Sequence, residues 1–348
     1  MQKKLIALAV AGLVSGAAFA QSNVTIYGVA DAFYGYSKGD NADWSGINNG
    51  GLSGNRIGFK GEEMLGNGLK AIFTYEFGSL TIDNEANGMT STRQSFVGLS
   101  GGFGTASVGR QYAPSFLYLG GTSSNEVTII NPSNSTGMVG SFATLNTGGG
   151  ARWNNSVAYT SPNMGGFEVR AIYGFGEQVR DGYGDASTDR SQAGIGAKYA
   201  NGPLYLTAMY QAILKDDASA VNDGNKAWAI GGAYDFKVVK LFANYIREND
   251  DRTAADLTKK YWSVGLGIPV SSVGTVNVEY SQINTDAGGD RKAKGLGLGY
   301  NHSMSKRTTA YVNLSHIRNG DDTAVGFNGV ATNGESNTNF AVGVRHVF

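Results

Sequence analysis

The chain has 348 residues, 28 basic and 28 acidic side chains, no cysteine and a mean hydropathy of −0.21. The even charge argues against a non-specific nucleic-acid binder, which needs a basic surface, and the lack of cysteine excludes a disulfide framework. Glycine (52) is abundant and proline (5) scarce, a balance that fits closely packed, curving strands better than disordered linkers.

Residues 1–20 read as a cleaved secretory signal peptide. Lys3 and Lys4 open it, Leu5 to Val14 form its apolar core, and Ala18-Phe19-Ala20 is a small-x-small cleavage site. A membrane-anchor helix is the other reading, but the apolar run is short for a span. Removing the two lysines leaves a net charge of −2 on residues 21–348. No later stretch approaches the ~20 apolar residues of a membrane helix. An exported chain of this kind that enters a membrane must do so as a closed barrel, in which every backbone hydrogen bond is met between strands.

Residues 21–348 read as one domain of alternating segments. In Arg56 to Glu63, Arg56 and Lys60 share a face opposite Ile57 and Phe59. Leu69 to Phe77 puts Leu69, Phe73, Tyr75 and Phe77 opposite Lys70, Thr74 and Glu76. Phe167 to Phe175 sets apolar residues against Glu168 and Arg170, and Ser191 to Tyr199 sets Ile195 and Tyr199 against Gln192 and Lys198. Trp262, Val264, Leu266 and Ile268 alternate with serine and glycine, and Val276, Val278 and Tyr280 oppose Asn277 and Glu279. The final segment carries Phe340, Val342, Val344 and Phe348 on its apolar positions. A period of two builds strands with one greasy and one wet face.

Seven short turns alternate with eight longer, polar connections, which predicts sixteen strands. Short turns at one rim and long loops at the other are the pattern of an outer-membrane barrel. A soluble sandwich or propeller also alternates, but a dry core does not explain aromatics crowding the strand ends, such as Tyr34, Phe77, Phe167, Tyr199 and Tyr300.

One connection stands apart. Ala113 to Gly150 spans 38 residues, carries apolar anchors from Phe116 to Leu145 and has Glu126 as its one charged residue. Loops of this length are usually functional or disordered. Its apolar side chains favour packing on the inner wall, where it narrows the passage, over capping the outside. Arg110 precedes it and Arg152 follows it, while Arg93 opens an adjacent segment. Guanidinium groups facing a narrow passage attract anions, and arginine keeps its charge when partly desolvated. The alternative is that each arginine pairs with a wall acid. For Arg93 and Arg110 strict alternation would also turn Val97, Leu99, Ala106 and Val108 inward, so a bulge or a strand end is needed there.

The acidic groups Glu248 with Asp250 and Asp251, Asp216 with Asp217, and Asp321 with Asp322 read as solvated loop charge rather than calcium ligands. His302, His316 and His346 lack metal-ligand spacing, and no cofactor is expected. Ser315 and His316 fall on opposite strand faces, which opposes a nucleophile–base pair.

The blocks V-T-I-Y-G-V-A-D-A (Val24 to Ala32), R-I-G-F-K-G-E-E (Arg56 to Glu63), F-V-G-L-S-G-G-F-G-T (Phe96 to Thr105), V-G-R-Q (Val108 to Gln111), N-S-V-A-Y-T-S-P (Asn155 to Pro162) and the terminal V-G-V-R-H-V-F together resemble the general porins of Gram-negative bacteria, in their β-proteobacterial branch. The resemblance runs end to end. It implies an all-β, sixteen-stranded antiparallel barrel with the third external loop folded into the lumen. It also implies a homotrimer in the outer membrane, in contact with the lipid bilayer and outer-leaflet lipopolysaccharide, and passive diffusion of small hydrophilic solutes and anions. Constriction arginines would fall on Arg56, Arg93 and Arg152, with Glu126 the remaining loop acid. A substrate-specific channel on the same barrel, using Tyr112, Phe116 and Tyr118, is the alternative function.

Overall fold

The computed structural model describes residues 23–78, 80–82, 91–122, 150–176, 190–216, 224–250, 257–326 and 331–348. Residues 1–22, which include the expected leader, and residues 123–149, with Glu126, lie outside them. Among the described residues seventeen antiparallel strands form one sheet. They are β1 (Asn23–Lys38), β2 (Asp43–Asn49), β3 (Arg56–Gly66), β4 (Leu69–Gly78), β5 (Ser91–Gly101), β6 (Gly104–Tyr112), β7 (Arg152–Thr160), β8 (Phe167–Gly174) and β9 (Arg190–Asn201). The series continues with β10 (Leu204–Asp216), β11 (Asn225–Asp235), β12 (Lys240–Asp250), β13 (Leu257–Pro269), β14 (Gly274–Asp286), β15 (Lys292–Ser303), β16 (Thr308–Asn319) and β17 (Ser336–Val347).

The sheet closes because β17 pairs with β1, from Val29 opposite Val347 to Lys38 opposite Thr338. Gly28 and Phe348 then exchange both backbone hydrogen bonds, at 2.9 and 3.1 Å. No edge is left open at this seam, as a hydrocarbon environment requires.

Seventeen strands fill sixteen positions. β2 pairs with Ala32 to Lys38 of β1, and β3 pairs with Asn23 to Val29 of the same strand. They are two halves of one wall position. The sequence reading, which placed Lys38 to Gly54 in a single loop, is corrected here, since Asp43 to Asn49 pairs as a strand despite its polar and glycine content. Between the halves Gly50 to Asn55 turns into the barrel. The Asp31 carboxylate accepts hydrogen bonds from the Leu52 and Ser53 amides (2.7 and 2.8 Å) and from the Tyr311 hydroxyl (2.6 Å). Leu52 packs with Phe33 and Tyr311.

Parity follows the alternation. Val264, Ile230, Leu298, Leu314 and Val342 are exposed on the outer wall, while Asn244, Ser263, Ser281, Asn313 and Ser315 are buried on the inner one. Thr207, Gly231, Asn244, Ser263, Ser281 and Gly295 form one polar rung across β10 to β15. The next inward rung toward the long loops departs from the expected wet face. It runs Met209, Ala229, Ile246, Tyr261, Ile283 and Ala293, and all six side chains are buried.

That apolar shelf receives the start of the long connection. After β6 the chain forms α1 (Pro114–Leu119) and a single 3-10 turn (Gly120–Thr122). Leu119 joins the cluster of Ile246, Tyr261 and Ile283. The Ser115 amide donates to Gln211 Oε1 (2.6 Å), Tyr205 donates to the Tyr118 carbonyl (2.7 Å), and Asn244 donates to the Thr122 carbonyl (3.1 Å). Glycine permits the approach: a Cβ on Gly196 would sit 2.7 Å from Pro114, and one on Gly231 would sit 2.8 Å from Thr122. Residues 113–122 therefore lie against the inner wall of β9 to β12.

Lipid-facing parity predicts a stability asymmetry. Leu298→Arg, in mid-strand on the outer wall, is expected to cost ~2–4 kcal/mol. Val238→Arg, in an exposed turn, should stay within about 0.5 kcal/mol. Equilibrium unfolding in phospholipid bilayers measures both.

Candidate functional site

The arginines converge where β3, β4, β5 and the inward ends of β6 and β7 meet. Their centre is Glu76, whose carboxylate is only 4% exposed. It accepts a hydrogen bond from Tyr27 (2.9 Å), a charge-assisted one from Arg93 Nε (2.8 Å) and a third from the Tyr112 hydroxyl. Arg93 Nε also reaches Tyr112 Oη at 3.0 Å. Arg56 donates to the Gly54 carbonyl at 3.0 Å, so the inward turn between β2 and β3 holds it in place. The charge of Arg93 is felt at both Arg56 and Arg152.

Arg93 reaches this place through a bulge. Phe77 pairs with Thr92 and Glu76 with Gln94, leaving Arg93 as the extra residue. The bulge turns Arg93 inward while Val97 and Leu99 stay exposed on the outer wall. A second irregularity, between Gly109 and Gln111, leaves Arg110 unpaired with β7, while it still pairs with Ser95 of β5. Its guanidinium bonds the Thr92 carbonyl (2.6 Å) and the Asn154 side chain. Arg110 is thus not brought into the Glu76 group.

Tyr112 and Phe116 stack at 4.0 Å with an interplanar angle of 11°. Arg93 lies 5.8 Å from both ring centroids and Arg152 lies 5.3 Å from both. Equal distances to two stacked rings place each guanidinium at the rim of the pair, not over a face. The cation–π contribution is therefore small. Among the described residues, Arg93 Nη2 and Arg152 Nε are buried without a hydrogen-bond partner.

Lys60 sits lower on the same face, 5.3 Å from the Tyr27 ring. Arg170 faces the lumen farther round, donating to Thr160 Oγ1 (2.8 Å) and Gln111 Oε1 (3.2 Å). Glu168 pairs with Lys198 at 3.1 Å and accepts from the Tyr118 hydroxyl at 3.2 Å. Burial, and then the Glu168 charge, push the Tyr118 phenol far above its usual range, so it remains a donor.

Of the arginines and lysine read from the sequence, the structure sets Arg93 on Glu76, Arg152 beside Tyr112 and Phe116, and Lys60 lower on the same face, and it puts at the centre an acid that the sequence reading did not single out. Glu76 had been counted only as one wall acid, and its signal was its inward parity opposite the arginine-bearing strands. Glu248 and Asp250, read as solvated loop acids, lie inside: β12 extends through both and buries them. Asn225 donates to Glu248 at 2.5 Å, and Lys259 approaches it at 4.0 Å. Ser315 is buried inward while His316 points outward, as alternation requires.

A closed sheet with an apolar outer wall and an arginine-lined interior defines a passive membrane channel. The family model of the Gram-negative porins matches residues 7–322, and the chain belongs to that family. It is 36% identical to outer membrane porin protein 32 of Delftia acidovorans and 30% identical to an outer membrane porin protein of Bordetella pertussis, with full coverage of both chains in each case. The structure matches the anion-selective porin from Comamonas acidovorans with a TM-score of 0.76 and 28% identity, covering 94% of this chain and 100% of that one. The protein is accordingly an outer-membrane general diffusion porin and not an enzyme.

Glu76→Gln strips the counter-charge from a buried guanidinium. It is expected to destabilise the barrel by about 3 kcal/mol, measured by denaturant midpoint. The surviving channels should discriminate more strongly for anions, read from reversal potential.

Proposed function

We propose that this porin passes anions in preference to cations. The observation that carries the reading is the cluster of Arg56, Arg93 and Arg152 around Glu76, the one carboxylate in contact with it among the described residues. Three fixed positive charges against one negative leave a local excess, which raises anion concentration in a low-dielectric passage. Likeness to a protein described as an anion-selective porin supports the same direction. Lys60 and Arg170 extend the positive path along the inner wall. Arg110 contributes at its margin, while Glu126, the loop acid of the family reading, lies outside the described residues. Solutes pass because a single counter-carboxylate keeps anion binding weak enough for exit.

A substrate-specific channel has less support. The faces that Tyr112 and Phe116 present to each other are consumed by their own stack. Competitive block of conductance by a sugar or phosphorylated solute at micromolar concentration would favour it.

The homotrimer is part of the proposal, as is contact of the outer wall with bilayer lipid and outer-leaflet lipopolysaccharide. So is the leader: Lys3, Lys4 and the Ala18-Phe19-Ala20 site support export and cleavage before Gln21. Intact-mass analysis of protein from outer membranes should give a chain beginning at Gln21. A chain retaining residues 1–20 would remove that reading.

Arg56→Ala, Arg93→Ala and Arg152→Ala combined should lower the Cl⁻/K⁺ permeability ratio, because they leave Glu76 as the dominant local charge. The change should be larger at 0.1 M than at 1 M salt, where screening shortens from ~10 to ~3 Å. Zero-current potentials across a planar bilayer with a KCl gradient measure it. An unchanged ratio would place selectivity elsewhere.

A further inference from the structure

The turn from Gly50 to Asn55 enters the lumen immediately ahead of Arg56 in the chain, and one residue of β1 grips it along its length. At the start of the turn the Gly50 amide donates to the Asp31 carbonyl at 2.9 Å. In the middle the Leu52 and Ser53 amides donate to Asp31 Oδ2. At the end Asn55 Oδ1 accepts from the Asp31 amide (2.6 Å), while Asn55 Nδ2 donates to the Leu80 carbonyl (2.9 Å). Asp31 Oδ1 is taken by the Tyr311 hydroxyl. Arg345, the register partner of Asp31 on β17, donates to Ser53 Oγ at 3.3 Å. A Cβ on Gly51 would overlap the Tyr311 hydroxyl, so turn, tyrosine and carboxylate form one packed unit. Asp31 is 1% exposed. A carboxylate so buried, with three donors on its two oxygens, acts on permeating solutes only through what it holds.

What it holds is the support of Arg56. Gly54 sits between Ser53, gripped by Asp31 Oδ2, and Asn55, gripped by the Asp31 amide. The Gly54 carbonyl accepts from Arg56 Nε at 3.0 Å, and among the described residues it is the one hydrogen-bond acceptor of that side chain. The charge of Arg93 pushes on Arg56. An arginine side chain has large rotamer freedom, so a guanidinium under that repulsion keeps its place only against a fixed acceptor. The grip of Asp31 is what fixes the Gly54 carbonyl.

Charge and grip act in opposite directions. Asp31 lies two residues along β1 from Val29, the register partner of Arg56, or about 7 Å along the strand. As a bare negative charge on the lumen wall it weakens the positive field. As the clamp on the turn it keeps Arg56 in the group that makes that field.

We propose that Asp31 is a positioning residue for anion preference: it locks the turn whose Gly54 carbonyl fixes Arg56, and this contribution outweighs the negative charge it brings. The inference rests on the reading that Arg56 belongs to the anion-preferring group.

The variants D31N and D31A of the full-length porin separate the two contributions, because both remove the same charge. Asparagine keeps an acceptor for the Leu52 and Ser53 amides and turns its own amide to the Tyr311 oxygen; alanine keeps neither. The readout is the Cl⁻/K⁺ permeability ratio, from zero-current potentials across a planar bilayer with a KCl gradient near about 0.1 M, where screening is modest. D31N is expected to hold the ratio at or above the wild-type value. D31A is expected to lower it by about twofold or more, although a negative charge has gone. N55A, which loosens the same turn with no change of charge, should lower it in the same direction. In an R56A background D31A should add no further lowering, because the side chain it positions is absent.

Equal ratios in D31A and D31N, or a D31A ratio above wild type, would overturn the proposal in favour of a simple wall charge. A lower unfolding midpoint in D31A with an unchanged ratio would overturn it in favour of a role in barrel stability alone. Potentials are read from inserted channels, so a poor yield of folded D31A leaves the measurement intact. If D31A gives no channels, N55A decides, and an unchanged ratio there overturns the proposal. R56A alone tells the two possible failures apart. A wild-type ratio in R56A removes Arg56 from the anion-preferring group and the proposal with it. A lowered ratio in R56A beside equal ratios in D31A and D31N sinks the proposal and leaves the reading of Arg56 standing.

Discussion

Hydrocarbon offers no hydrogen bonds, so the backbone of a membrane-embedded sheet must satisfy itself laterally, and a sheet achieves this only by closing. The seam between β1 and β17 is where closure is completed, down to the paired backbone bonds of Gly28 and Phe348. Once the ring is shut, every residue on every strand is committed to lipid or to lumen, and the commitment passes from strand to strand through register. The polar rung from Thr207 to Gly295 and the apolar rung from Met209 to Ala293 are continuous for that reason.

The functional site is built where this commitment is broken. Strict alternation would send Arg93 to the lipid if Val97 and Leu99 are to stay there. One extra residue in β5 reverses the parity and delivers a guanidinium to Glu76 without disturbing the wall below. A comparable irregularity at Gly109, whose φ of 129° suits glycine, precedes the residues with which β6 turns inward. Tyr112, at the end of that strand, then bonds both Glu76 and Arg93. The same economy appears in the split second position, where the excursion between β2 and β3 carries Gly54 to Arg56 and Leu52 to Asp31. Irregular backbone inside the barrel is tolerable because each of these turns finds its hydrogen bonds in the lumen.

These departures explain what could and could not be read from the chain. Alternation and turn residues located the strands, the short-turn rim and the inward faces of Arg56, Lys60 and Arg152, since a period of two survives in any sequence that must face two solvents. A bulge leaves no such trace, because one added residue looks like the end of one segment and the start of the next. The need for a break at Arg93 was visible, but its position was not. β2 was hidden because Asp43 to Asn49 is polar and glycine-bearing, and it is recruited by β1 and not by its own propensity. Glu248 and Asp250 looked like loop charge because buried carboxylates are rare unless partnered, and the hydrogen bond from Asn225 is a long-range fact. The shelf of Ile246, Tyr261 and Ile283 was likewise unexpected on an inner face, yet it answers the apolar anchors that made the long connection conspicuous.

Magnitudes explain why one carboxylate belongs among the arginines. Two like charges ~7 Å apart at an effective dielectric near 20 repel by ~2.4 kcal/mol, so three mutually close guanidinium groups would cost several kcal/mol, a large part of a domain's net stability. A carboxylate in direct contact with one of them, at hydrogen-bond distance, returns a comparable amount. Placing it at the centre, hydrogen-bonded to two tyrosines, fixes the geometry while leaving the total charge positive. A second carboxylate would halve the local excess and weaken the field that draws anions in. None at all would leave a cluster that is costly to fold and that releases each anion more slowly. Glu76 is the compromise that lets the same ring be stable, attractive and leaky.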